Sequence, residues 1–64
     1  MNIYENILAE ANKQGKTISQ VEKDSGLKNG AISKWKSSSP TVKNLEAVAV
    51  ALGVDIKALM QKKQ

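Results

Sequence analysis

The sequence points to an all-α protein, five short helices wrapped around one small core. Apolar residues recur at helical spacing along most of the chain, and period-two alternation never runs far. Aromatics suited to strands are nearly absent, with one Trp, one Tyr and no Phe. Glycines and short polar residues fall at the ends of the apolar stripes, where helices start and stop. With 64 residues there is room for a single domain, residues 1–64, and the sequence shows no repeat and no linker.

The first helix is read from Ile3, Ile7, Leu8 and Ala11, which share a face, and Gly15 closes it. Ile18, Val21 and Ser25 make a second, short stripe that ends at Gly26. Its start has two frames in capping-box spacing, Thr17 with Gln20 and Ser19 with Glu22. Ile32 and Trp35 anchor a third helix, ended by the run "SSSP". The fourth stripe is the strongest: Val42, Leu45, Val48, Ala49 and Leu52, with Thr41 placed to cap it and Gly53 to close it. Ile56, Leu59 and Met60 form a fifth, capped by Asp55. Loops this short suit a helical bundle. The tail "QKKQ", with Lys62 and Lys63, reads as a frayed, solvated end with a weaker option of a phosphate contact.

Composition removes several classes of function. The chain has no Cys and no His, so disulfides and a conventional zinc site are out, and no Ser has a general base at hand. Glu22 and Asp24 diverge at i, i+2 spacing, and no glycine-rich phosphate loop is present. Neither an enzyme nor a cofactor is expected. No apolar run approaches the ~20 residues of a membrane span. The acidic, amphipathic "MNIYENILAE" is unlike a signal peptide, so a cytoplasmic protein is expected.

Net charge is +4, and every basic residue is a lysine. Between Ser25 and Leu45 lie Lys28, Lys34, Lys36 and Lys43 and no acid, while the remaining lysines are matched one for one by acids. A focused basic patch suits phosphates; a merely solubilising surface is the other reading. The patch coincides with a tight glycine turn, about three residues around Gly26–Lys28, between the second and third helices. That is the helix-turn-helix pattern, here over about residues 17–36. In such a motif the first helix crosses the DNA backbone and the second enters the major groove. Val21 and Ile32 would pack the pair together, and Leu27 would fill the corner.

The stretches "ISQVEKDSGLKNGAISKWK" and "SPTVKNLEAVAVALGVDIKAL" resemble the Xre-type, lambda-repressor-like helix-turn-helix regulators, especially the small prophage repressors of Gram-positive bacteria. Leu45, Ala49, Leu52, Gly53 and Val54 match the ending of the family's fourth helix, and the likeness covers roughly residues 3–60. The resemblance implies that Asn29, Gly30, Ser33 and Lys34 lie on the groove side of the recognition helix. There Asn would suit adenine and Lys guanine. It also implies phosphate contacts from Thr17, Ser19, Lys28, Lys36, Ser37 and Lys43, and from free backbone N–H groups around Thr41 and Val42. The chain departs from the pattern in places. Ile18 replaces the usual glutamine inside the second helix, Glu22 the usual alanine, and Lys28 the usual Ser or Thr cap, leaving Asn29 as substitute. Without arginine, readout is expected to lean on phosphates and DNA shape.

Some residues have two readings. Trp35 is placed in the core, base stacking being the alternative. Tyr4 is read as a half-exposed rim residue. Gly30 is read as a close approach of backbone to DNA or to the second helix, or as relaxed readout, and not as a turn; a tolerated glycine on a surface helix is the alternative. Glu22 is either a buried polar anchor that accepts a hydrogen bond from a nearby backbone group or serine, or an exposed partner of a lysine. The function implied is a sequence-specific regulator of transcription that binds double-stranded DNA. A phage-type repressor acting in a bacterial cytoplasm, on the nucleoid when bound, is expected. It would act as a homodimer on a palindromic operator, with Val54, Ile56, Leu59 and Met60 as the dimer surface. The chain would then be a Cro-like repressor or antitoxin, or the N-terminal domain of a longer repressor. The competing reading is a protein-interaction module, an adaptor or anti-repressor, on the same fold.

Overall fold

The computed structural model describes residues 3–60, so the expected frayed tail with Lys62 and Lys63 lies outside the described residues. The all-α expectation holds. Helix α1 runs Ile3–Lys13, α2 Ile18–Asp24, α3 Val42–Leu52 and α4 Ile56–Met60. Between α2 and α3, where a fifth α-helix was expected, stands a single 3-10 helix, Ser33–Lys36.

Local chemistry explains the helix ends. Thr17 is extended (ψ 163°), and its hydroxyl accepts from the Gln20 N–H at 3.1 Å. Gln20 turns its side chain along the helix instead of back to the Thr17 N–H, its amide nitrogen donating to Asp24 at 2.8 Å. Thr41 caps α3 in the same way, accepting from the Asn44 N–H at 3.1 Å. Asp55 starts α4 by accepting from the Lys57 N–H at 3.0 Å. Three helices close alike, on Gly15, Gly26 and Gly53. The next residue's N–H reaches back across the left-handed glycine, Lys16 to Ala11, Leu27 to Glu22 and Val54 to Ala49, at 2.9–3.0 Å.

One core holds these pieces together. Ile7 and Ala11 of α1, Val21 of α2, Ile32, and Val48 of α3 are closed to solvent, and Trp35, Leu45, Ala49, Leu52 and Leu59 are nearly so. Burying a large aliphatic side chain contributes ~1.5–3 kcal/mol. Helix α1 packs on α4 and on the 3-10 helix, and α3 packs on α2 and α4. Polar side chains tie distant helix ends: Asn6 donates to the Leu59 carbonyl at 2.8 Å and Gln14 to the Leu52 carbonyl at 2.7 Å.

Four expectations change. The connection after α2 runs from Ser25 to Ile32, longer than a turn at Gly26–Lys28, because Gly30 sits at φ +91°, which an α-helix does not admit. Gly30 is therefore a turn residue. No tight contact with α2 demands a glycine there, since a Cβ added at Gly30 meets nothing within 4 Å. Val42 is 69% exposed, because it begins α3 beyond the reach of the core. Leu59 is 1% exposed, so it serves the core and is withdrawn from the expected dimer surface. Trp35 is a core residue and Tyr4 is half-buried, as read from the sequence.

Candidate nucleic-acid interface

The segment from Gly26 to Ser38 has little structure of its own. Its only regular element is one 3-10 turn, and the residue at that turn's start, Ile32, provides no side-chain cap. The segment is held from behind and from below. Ile32 and Trp35 sink into the core, and Leu27 packs half-buried at the corner. From α2 the Glu22 carboxylate reaches up, one oxygen accepting from the Gly30 N–H at 3.0 Å and the other from the Ile32 N–H at 2.9 Å. At 2% exposure Glu22 is the buried anchor of the two readings, and it takes the capping place expected of Asn29. Its burial is tolerated because both oxygens are bonded; an unpaired carboxylate there would be costly.

The outer face is polar and basic. A cleft of about 360 Å³ gathers Lys28, Asn29 and Lys34 over an apolar floor that includes Trp35, with Ser38 and Asn44 on its rim. A neighbouring cleft of about 290 Å³ is lined by Ser19, Glu22, Lys23, Leu27 and Asn29. Asn29 and Leu27 line both, so the two clefts adjoin each other. Ser19, Lys28, Asn29 and Lys34 are thus brought together. Gly30, Ser33, Ser37, Thr17 and Lys43 line neither cleft. Lys36 turns the other way, its ammonium 5.0 Å from the centre of the Tyr4 ring on α1, a cation–π distance.

Lys23, Ser38 and Asn44 share these clefts and were not singled out in the sequence. Two had a signal there. Lys23 stands four residues after Ser19, on the same face of α2. Asn44 stands three after the capping Thr41, in the first turn of α3. Ser38 is placed by its own bond, donating to the Lys34 carbonyl at 3.1 Å. The nearby acid Asp24 is occupied by Gln20 and by Lys16, whose ammonium is 3.6 Å away. With Glu22 buried, the lysines around the clefts face no free carboxylate from α2.

A short capped helix, a glycine closure, a turn and a second helical turn set over it form a helix-turn-helix, and a helix-turn-helix family model matches residues 7–59 of the chain. The chain belongs to this family. No curated protein and no solved structure matches it. The helix-turn-helix domain of this Xre-like type is a DNA-binding module of transcription regulators, and the basic clefts lie on the elements that carry the motif. Among the described residues no helix is long and apolar enough to cross a membrane, and no group of acids is placed to hold a metal.

Proposed function

We propose that this helix-turn-helix protein is a sequence-specific repressor of the phage or prophage type, which acts in the cytoplasm by occupying promoter DNA. The observation that carries this reading is the convergence of Lys28, Asn29 and Lys34 in one cleft, on a segment anchored by Glu22, Ile32 and Trp35. Asn29 and Lys34 are the base readers, with Gly30 and Ser33 beside them. Asn pairs with adenine and Lys donates to guanine in the major groove. Thr17, Ser19, Lys28, Ser37 and Lys43 meet phosphates on either side. The first N–H groups of α3, which lack helical acceptors, add to them. Lys36 reaches a phosphate by leaving the Tyr4 ring. The working form is a homodimer on a palindromic operator, half-sites about 34 Å apart. Its contact surface is formed by Val54, Ile56 and Met60, without Leu59.

The test is a titration of duplex DNA, random and selected from a random pool, at two salt concentrations. About four phosphate contacts per subunit, about eight for the dimer, give a salt slope near −7, or a loss on the order of 10,000-fold between 50 and 200 mM salt. Selection should return a two-fold symmetric site. Absence of binding at low salt overturns the reading. One observation favours the interaction-module alternative. An apolar cleft of about 380 Å³ is lined by Glu46, Ala49, Val50, Val54 and Ile56, with Val50 80% exposed at its edge. That reading survives only if the DNA titration fails.

A further inference from the structure

We infer that Glu22 is a positioning residue for base readout: its carboxylate sets the register between α2, which meets phosphates, and the turn that carries the base-reading side chains. The inference rests on the DNA-binding reading above and assigns a role to a residue that touches no DNA. The geometry is specific. The two oxygens accept from the N–H groups of Gly30 and Ile32, which bracket Ala31, at 3.0 and 2.9 Å. These bonds span eight and ten residues of chain, so they join separate elements and do not merely close a local turn. Asn29 precedes the bracket and lines both clefts; Lys34 follows it and lines one. On the α2 side, Ser19 and Lys23 line the same cleft as Glu22. The carboxylate is thus the polar link between the phosphate-facing and the base-facing halves of the surface.

The local features of the segment set this register only weakly. A 3-10 turn of four residues has little intrinsic persistence, and Gly30, at φ +91°, has a freer backbone than any other residue type. Ile32 and Trp35 fix the depth of the segment in the core, but apolar contacts are non-directional and do not orient its backbone N–H groups. Two hydrogen bonds to a forked, buried acceptor fix direction as well as depth.

Glu22→Gln tests this with little change in shape. The amide keeps one acceptor and turns a donor toward the second N–H. Wild type and variant are titrated with the selected operator and with random duplex, and the two amides are followed by NMR. The expected result is a fall of at least about tenfold in the ratio of specific to random affinity. Random-duplex affinity at low salt should stay within about twofold, because the lysines are untouched. The Gly30 and Ile32 amide protons should shift upfield and exchange faster. A purely structural role would lower Tm without moving the affinity ratio. Should Glu22→Gln not fold, Glu22→Asp carries the test. It keeps the charge and the acceptor oxygens but is one methylene shorter, so it cannot hold the Gly30 and Ile32 N–H groups together in the same geometry. The same loss of ratio is expected. An unchanged ratio in a folded variant overturns the inference and leaves the DNA reading standing. A wild type without sequence preference overturns the DNA reading, and this inference with it.

Discussion

The segment from Gly26 to Ser38 depends on side chains behind it, and Ile32→Val measures that dependence. Ile32 is closed to solvent, lies against the core, and its N–H is bonded to Glu22. The substitution removes one buried methylene, keeps the β-branch and leaves the backbone bond in place. Ile→Val at a buried site costs ~0.5–1.5 kcal/mol. A chain of 64 residues has a total stability of about 3–10 kcal/mol at ~0.05–0.15 kcal/mol per residue, so this is a sizeable share. A domain of this size loses about 4–8 °C in Tm per kcal/mol, which puts the expected fall at about 2–12 °C. Val42→Ala is the control. It also shortens a β-branched side chain, but at 69% exposure its effect should stay within about 0.5 kcal/mol. Thermal melts followed by circular dichroism compare the two. The reasoning is refuted if Ile32→Val melts with the wild type while Val42→Ala does not, because the segment would then not be anchored where the structure places it.

Two further outcomes can be checked directly. Gly53 closes α3 at φ +70°, with nothing within 4 Å of an added Cβ, so Gly53→Ala should cost only backbone strain, about 1–2 kcal/mol, read as a shift of the urea midpoint at constant m. Lys34→Ala should relax preference at one position of the selected site. Lys36→Ala should instead weaken all duplexes alike and reduce the salt slope by about one per subunit, in binding measured by fluorescence anisotropy. Wild-type affinity and specificity in both lysine variants would show that the base-reading segment is misplaced.

The parts of this protein that could be read directly from residues are those set by near neighbours in the chain. The Thr17, Thr41 and Asp55 caps act within three residues, and the closures at Gly15, Gly26 and Gly53 are local backbone geometry. The apolar stripes located the core, including Trp35, because helical spacing maps onto a face without knowledge of the fold. Lys28, Asn29 and Lys34 were legible as a group because they lie within seven residues of one another in the chain. What could not be read depends on which elements meet. Leu59 and Met60 are adjacent and both apolar, yet only packing of α4 on α1 buries the first and leaves the second 57% exposed. The resting place of the Lys36 ammonium, 5.0 Å from the centre of the Tyr4 ring, follows from the packing of α1 and not from the residues around Lys36. Glu22 had two open readings, and the choice between them rests on bonds to Gly30 and Ile32, which its position in α2 does not foretell. The same meeting explains the missing fifth α-helix. A distant carboxylate takes two backbone N–H groups, Gly30 turns with positive φ, and the core grips Ile32 and Trp35. The segment then needs no helix of its own, because long-range bonds and burial supply the order that its local propensity lacks.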